Sequence, residues 1–477
     1  MIGTRIFALG DQVRFAELTG DFNPMHLDPV AARRTLAGAP VVHGVHDLLW
    51  LIDLIAVHHT NLPTVAGLKV HFARMLYLGE QAQITVSKLG ARRLGAKVSV
   101  EGSDIMQVTL VFGDEMTSSS EHDQFDYDVE EPDTPAALGL VQMEGRAGRL
   151  AFARPAEELA AMFPHASKLI GARRVAALGC TTRLVGMVIP GLHSIYAGLE
   201  LDFTKEAETR DSIGYRVESI DEHFRFVRTR IAGAGVLGHV DAFNRPPPTT
   251  QPALAEIRRV VAADEFAGDV ALVVGGSRGL GELTAKIIAA GGGKVILTYA
   301  VGKTDAEAVA REIIESGGSC ETVAFDVREQ PAKQFGSIGT TLTSIYYFAT
   351  PSIFRRRSSR LSIDLFEEFN SYYVRGFYTL LDFVSREFKS DRKIGVFYPS
   401  SFAIDERPQG MTEYSMSKLA AELMCADLTG HFRDIHVLVK RLPRLLTDQT
   451  ATISAFETVD AMTVMLPIVR EVQINKG

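Results

Sequence analysis

Two seven-residue strings in this chain are nearly the same, and their spacing constrains the fold more than any other feature. Ala66-Gly67-Leu68-Lys69-Val70-His71-Phe72 returns as Ala197-Gly198-Leu199-Glu200-Leu201-Asp202-Phe203, 131 residues further on. The same ungapped offset pairs Ile84 with Tyr215, Val86 with Val217, Val100 with Ile231 and Phe112 with Phe243. A constant offset across several alternating apolar stretches marks a duplicated unit. In both copies a long apolar segment precedes the matched strand, Leu48 to Val57 in one and Lys168 to Val188 in the other. A helix followed by several period-2 strands reads as a sheet wrapped on a helix, here present twice and paired like a symmetric dimer.

The rest of the chain reads differently. A polar stretch from Ser118 to Thr134 separates the copies, placed at 1–120 and 121–245. Asn244-Arg245-Pro246-Pro247-Pro248-Thr249-Thr250-Gln251-Pro252 is stiff and poor in backbone donors, so a linker is expected over 246–264. Beyond it, over 265–477, short apolar runs alternate with helix-length segments. They are Val270–Val274, Val295–Thr298, Val323–Phe325, Ser344–Phe348, Ile394–Tyr398 and Val437–Val439. That alternation predicts an α/β unit with a parallel sheet covered on both faces. The expected fold is therefore an α+β pair of repeated units followed by a doubly wound α/β domain.

Composition narrows the function classes. The 477 residues are 46% hydrophobic and 23% charged with a net charge of -8, which excludes disorder as the main state. A pI near 5.9 and the lack of a long basic run argue against a nucleic-acid partner. No apolar stretch reaches the ~18 residues of a membrane span, and Met1-Ile2-Gly3-Thr4-Arg5-Ile6 lacks a signal-peptide pattern. Cys180, Cys320 and Cys425 are odd in number and far apart, as expected of reduced thiols in a cytoplasmic protein. No metal-ligand spacing is seen, so no metal is expected. A homo-oligomer, dimer or tetramer, is expected.

The first chemistry-bearing string is Gly20-Asp21-Phe22-Asn23-Pro24-Met25-His26. Pro24 fixes its own φ and pushes Asn23 out of the helical region, so Asp21 and His26 sit on a shaped turn and can converge. A carboxylate beside an imidazole suits proton transfer or water activation. Downstream, Val42-His43-Gly44 opens a helix whose N-terminal N–H groups can face a developing oxyanion. These strings, with Phe15, Leu18, Thr19 and Ala32, resemble the (R)-specific enoyl-CoA hydratase, or MaoC-like, family. The resemblance implies a hot-dog fold. It also implies that Asp21 and His26 hold the water added to, or lost from, a 2-enoyl thioester, and that Gly44 polarises the thioester carbonyl. In the second copy the same offset puts Phe152, Glu157, Arg174 and Val175 at the places of Asp21, His26, His43 and Gly44. The second copy is therefore read as non-catalytic, completing the pseudo-dimer and widening the acyl pocket, as in double-hot-dog hydratases.

The second string is Val274-Gly275-Gly276-Ser277-Arg278-Gly279-Leu280-Gly281, between a strand and a helix. Glycines there allow a tight turn and close approach of a pyrophosphate. Tyr414 and Lys418 are four apart on one helical face, and Ser401 follows the strand at 394–398. A lysine near a tyrosine eases phenolate formation. The set resembles the short-chain dehydrogenase/reductase family over 265–450. The resemblance implies that Tyr414 is the proton donor or acceptor and that Ser401 holds the substrate oxygen. It implies that Lys418 binds the nicotinamide ribose, that Gly275, Ser277, Arg278, Gly279, Leu280 and Gly281 form the dinucleotide turn, and that Asp326 sits near the adenine. Leu297-Thr298-Tyr299-Ala300 offers no acid for a ribose hydroxyl, whereas Arg278 suits a 2′-phosphate, so NADP(H) is expected over NAD(H). Three features depart from the family: its Asn-Ala-Gly strand end is Phe348-Ala349-Thr350 here, its helix-borne catalytic Asn aligns with Tyr373, and the Thr usual at the head of its glycine turn is Val274.

A 3-hydroxyacyl thioester is the product of ketoreduction and the substrate of dehydration. The sequence thus points to a bifunctional enzyme on acyl-CoA or acyl-carrier-protein thioesters, of the fatty-acid or polyketide biosynthetic type. A degradative hydratase–dehydrogenase, or a hydratase with a nucleotide-binding but inactive second domain, are the alternatives.

Overall fold

In the computed structural model the two repeated strands lie side by side. The structure describes residues 1–35, 37–116, 127–205, 211–335, 342–353, 361–388, 393–447 and 459–474. Of the polar stretch between the copies, 118–126 lies outside them. The chain forms two units, Met1–Pro247 and a second from Pro248 onward.

Among the described residues, unit 1 carries one sheet of eleven strands. They are β1 (Gly3–Ile6), β2 (Val65–Phe72), β3 (Gln81–Leu89), β4 (Arg93–Val100), β5 (Ser103–Phe112), β6 (Val129–Glu130), β7 (Ala147–Ala151), β8 (Ser194–Phe203), β9 (Ser212–Asp221), β10 (Phe226–Gly233) and β11 (Val236–Asn244). The order is β1-β3-β4-β5-β2-β8-β11-β10-β9-β7-β6, the second half mirroring the first about the β2–β8 pair. That pair is antiparallel, with Gly67 opposite Asp202, Lys69 opposite Glu200 and His71 opposite Gly198. Here the repeated glycine explains itself. A Cβ on Gly67 would meet the Leu201 carbonyl at 2.6 Å, and one on Gly198 the Val70 carbonyl at 2.5 Å. Both copies need a bare backbone where the strands approach.

Lys69 and Glu200 occupy equivalent places in the two copies and face one another across this pair. They form an ion pair of 2.8 Å on the solvent side.

Three longer helices of unit 1 matter for the site: α1 (Leu9–Thr19), α2 (Gly44–His58) and α3 (Ala172–Arg183). α2 buries Val45, Leu48, Leu49, Trp50, Leu51, Ile52 and Ile55, and α3 buries Val175, Ala177, Leu178 and Cys180. Both helices share one apolar core with the inner face of the sheet. α2 is apolar on most of its surface and has to be enclosed, and α3 is buried from Val175 to Arg183.

Among the described residues, unit 2 holds six parallel strands: β12 (Val270–Val274), β13 (Lys294–Tyr299), β14 (Ser319–Ala324), β15 (Ser344–Tyr347), β16 (Ile394–Ser401) and β17 (Ile435–Leu442). Their order, β14-β13-β12-β15-β16-β17, reverses between β12 and β15. One core lies on each face. The first takes α4 (Gly279–Ala290), α5 (Lys303–Glu315) and, near the C-terminus, a helix over Ala461–Ile474. The second takes α6 (Ile363–Asn370), α7 (Phe377–Glu387) and α8 (Thr412–His431). Strand side chains alternate between the two cores, Tyr346 into the first and Tyr347 into the second. The connecting stretch is shorter than the 246–264 expected. Leu254, Ile257 and Val261 recur at helical spacing and are buried in unit 2, so the chain is folded from Leu254 onward. None of the described helices is long and apolar enough to cross a membrane.

Candidate functional sites

The first site forms where α1 stops. Gly20 ends α1 in the left-handed region, with φ 76° and its N–H on the Ala16 carbonyl. A Cβ there would strike Arg183 and Ala153. Asp21 follows. Asn23 has φ -57° and ψ 122°, outside the helical region as its place before a proline requires. Its Oδ1 accepts from the Met25 N–H (3.1 Å) and starts the short helix Pro24–Leu27 that carries His26. Its Nδ2 donates to the Gly186 and Gly191 carbonyls, at 3.0 and 3.1 Å. The motif loop is thus fastened to the second copy.

Asp21 and His26 are brought together and are almost fully buried. Thr182 Oγ1 donates to Asp21 Oδ2 (2.7 Å), and the Asn23 N–H donates to Oδ1 (3.2 Å). His26 Nδ1 lies 2.9 Å from the Val41 carbonyl. A carbonyl only accepts, so Nδ1 carries the proton and Nε2 keeps its lone pair. The His43 ring stacks on His26 at 3.8 Å. His43 Nδ1 is 2.8 Å from Gln12 Oε1, and Nε2 is 3.1 Å from the Asp21 carbonyl. A neutral ring satisfies one of these acceptors at a time. Ligand-type atoms of Asp21, His26 and His43 lie within 4.8 Å of one another. Burial pushes the Asp21 carboxyl up from its ordinary value, against the pull of His26, Thr182, Asn23 and Arg183. Burial also pushes His26 down, and His43 further down. Exclusion of water disfavours charge on both groups, making the carboxyl more basic and the imidazole less so.

Gly44 is the first residue of α2, where a helix leaves N–H groups without an intrahelical partner. A Cβ there would press on the Phe72 ring at 2.9 Å. Two contributors were invisible in the motif. Thr182 lies in the last turn of α3, and Gly186 lies in the π turn Leu184–Val188 that follows. A Cβ on Gly186 would sit 2.2 Å from Asp21 Oδ1, so only glycine admits the carboxylate. The signal that could have found them is a departure from the repeat. At the constant offset these positions fall on Leu51 and Ile55 of the first copy.

At the matching places of the second copy stand Phe152 and Glu157. Arg174, at the place of His43, donates to Glu115 (2.8 Å) and to the Thr204 (2.8 Å), Gly235 (3.2 Å) and Ile170 (3.3 Å) carbonyls. A guanidinium fills the equivalent region.

In unit 2 the candidate residues gather at the C-terminal ends of the strands, at the reversal of strand order. Gly275 (φ 76°) and Gly279 (φ 59°) are left-handed, and a Cβ on Gly281 would meet the Gly275 carbonyl at 2.3 Å. The Gly275 and Gly276 N–H groups donate to Thr298 Oγ1 and O, tying the turn to β13. Ser277 is buried and Arg278 stands at the N-cap of α4. Leu280 packs on the adjoining core. The tight turn and the open start of the twelve-residue α4 fit a dinucleotide pyrophosphate. The Asp326 carboxylate is gripped by Arg328 (Nη2–Oδ2 2.6 Å), which holds it below its ordinary value.

Tyr414 and Lys418 lie one turn apart on α8, and Ser401 ends β16. Ser401 hydrogen-bonds Tyr414, yet burial still pushes the phenol above its usual range. The easing by Lys418 expected from sequence is not found. Its ammonium lies 5.9 Å from the Tyr414 ring but 4.0 Å from the Tyr373 ring, and Nζ donates to the Pro399 carbonyl (2.7 Å). Burial lowers Lys418 to about 7.

Comparison with known proteins agrees with this division. Residues 7–109 match the MaoC like domain, and residues 269–454 match the short chain dehydrogenase. Fifty-eight residues are 50% identical to a 3-oxoacyl-[acyl-carrier-protein] reductase of Synechocystis sp., covering 12% of this chain and 24% of that protein. One hundred residues are 29% identical to the mitochondrial 3-hydroxyacyl-[acyl-carrier-protein] dehydratase of Arabidopsis thaliana, covering 21% and 60%. Eighty-one residues are 30% identical to the peroxisomal hydratase-dehydrogenase-epimerase of Saccharomyces cerevisiae, covering 17% and 9%. The chain thus spans less than two thirds of the length of each. Among solved structures, a short-chain dehydrogenase/reductase from Serratia marcescens aligns with a TM-score of 0.39 and 22% identity, over 45% of this chain and 92% of that one. The chain joins an N-terminal MaoC-like domain to a C-terminal short-chain dehydrogenase domain.

Proposed function

We propose that the chain is a bifunctional enzyme that reduces 3-oxoacyl thioesters and dehydrates the resulting (R)-3-hydroxyacyl thioesters to 2-enoyl thioesters. The observation that carries this reading is the buried Asp21–His26 pair in one unit of a chain whose other unit groups Ser401, Tyr414 and Lys418. The two chemistries share one metabolite. The thioester is carried by CoA or an acyl carrier protein.

In unit 1 the Asp21 carboxylate and the neutral His26 Nε2 both accept from one water. In the hydration direction the water O–H breaks, its oxygen bonds C3, and the proton taken by the pair returns to C2. Dehydration is the reverse: C2–H and C3–O break and water leaves. Gly44, at the N-terminus of α2, supports the negative charge that develops on the thioester oxygen.

In unit 2 the dinucleotide would be held by Gly275, Ser277, Arg278, Gly279, Leu280 and Gly281, with Asp326 near its adenine and Lys418 at its ribose. When bound, that cofactor supplies the hydride. Ser401 holds the substrate carbonyl oxygen, and Tyr414 gives it a proton, so the carbonyl becomes a hydroxyl. The absence of an acidic residue at 297–300 and the presence of Arg278 favour NADP(H).

Asp21→Asn is expected to cut hydration of a crotonyl thioester at least a hundredfold and to leave NADPH-dependent reduction intact. Tyr414→Phe is expected to do the reverse. Both rates are read in parallel on the full chain. Wild type that binds NADPH but reduces no 3-oxoacyl thioester would overturn the bifunctional reading.

A further inference from the structure

We propose that Tyr373 is a positioning residue for Lys418: its ring face, fixed by Thr350, is the seat on which the lysine ammonium rests. This rests on reading unit 2 as a reductase, and it concerns two of the places at which the chain departs from the family, Thr350 and Tyr373.

The departures meet. Tyr373, where related dehydrogenases carry an asparagine, is 1% exposed. Its hydroxyl lies 2.5 Å from Thr350 Oγ1, the residue that replaces the glycine of the strand end. The ring is parallel to Phe369 (5.8 Å, 7°) and edge-on to Tyr414 (5.7 Å, 80°). With hydroxyl and both flanks held, its free face meets the ammonium at 4.0 Å.

The backbone is arranged for this. Ser371–Gly376 is a π turn between α6 and α7. Two buried tyrosines of neighbouring strands anchor its carbonyls. Tyr347 donates to the Tyr372 carbonyl (2.6 Å), and Tyr398 donates to the Tyr373 carbonyl (3.3 Å). A Cβ at Gly376 would strike the Val327 carbonyl at 2.7 Å, so the turn fits closely against the strand end beneath.

The lysine needs such a seat. It is buried, and one of its three protons goes to the Pro399 carbonyl. The titratable groups facing it are Glu422 and Cys425 of its own helix, Tyr414 beside them, Tyr398 of β16 (5.0 Å) and Tyr373 of the π turn. Glu422 is itself committed to Arg441 and Ser400. An aromatic face in a water-poor site attracts a cation strongly. Tyr373 therefore favours the ammonium against the push of burial and fixes its place.

The test is the titration of Lys418 in the full chain, followed by NMR of lysine labelled at Cε and assigned with Lys418→Met. Tyr373→Leu is expected to lower the Lys418 midpoint by about one pH unit, a tenfold change in its protonation equilibrium. Tyr373→Phe, which keeps the face, is expected to leave the midpoint in place. Thr350→Val, which frees the ring, is expected to lower it by less, and it decides the matter if Tyr373→Leu does not fold. A midpoint unmoved in Tyr373→Leu, or in Thr350→Val where that variant decides, overturns the proposal. The readout does not depend on turnover. If wild type binds NADPH and reduces nothing, the reductase reading fails while the titration still judges the seat.

Discussion

Asp21 is shaped by two hydrogen-bond donors, one local and one distant in the chain. Its own loop supplies the Asn23 N–H, and α3 supplies Thr182, a contact 161 residues away in sequence. The loop was legible because Gly20, Asn23 and Pro24 each have a backbone reason to be there, and His26 rides on the turn they make. Thr182 was not, because a threonine near the end of a helix carries no pattern that points to a partner 161 residues away. Its effect can be measured. The Thr182 hydrogen bond favours the carboxylate and opposes the upward push of burial. Hydration needs Asp21 ionised, so its rate falls as pH drops through the folded-state value. Thr182→Val removes the opposing bond, Asp21 rises further, and the acid limb of kcat/KM moves to higher pH by about one pH unit. A pH–rate series on wild type and variant checks this. A limb that stays in place would mean that Thr182 does not tune Asp21.

At the scale of elements, each candidate site leans on a π turn, Leu184–Val188 in unit 1 and Ser371–Gly376 in unit 2. Such single-turn widenings recur at functional sites. Neither was legible, since one extra residue barely disturbs a 3.6-residue period. The strands and longer helices were legible because their apolar periods are strong, and the six expected runs of unit 2 all become strands. The turn in unit 1 predicts a sharp effect. In Gly186→Ala the new methyl would lie 2.2 Å from Asp21 Oδ1. The carboxylate or the turn must move, and hydration is expected to fall at least a hundredfold while NADPH binding to unit 2 is kept. Retained hydration would show that the site tolerates the displaced carboxylate.

At the scale of the molecule, the duplication was readable because its best-matched string coincides with the β2–β8 pair, where both copies need glycine. The parallel sheet was readable because its strands are continuously apolar. What stayed hidden was the second copy's share in the first copy's site, since the repeat shows what is matched and not what touches. The pair at the centre of the sheet gives a whole-molecule prediction. Lys69 and Glu200 are both about two thirds exposed, so their attraction is worth at most about 1 kcal/mol. Lys69→Glu is expected to lower Tm by about 2–4 °C, and the double exchange Lys69→Glu with Glu200→Lys to restore it. Calorimetry of the three chains checks both parts.

The same pair says something about identity. In a dimer of two identical chains, the residue on the dyad meets another copy of itself and can never meet its opposite charge. Here that position holds lysine in one half and glutamate in the other. A half expressed alone would pair like with like along this strand, and two different halves would pair unlike with unlike. The duplicated halves have thus each become the better partner for the other than for themselves, and the change is written at one exposed position.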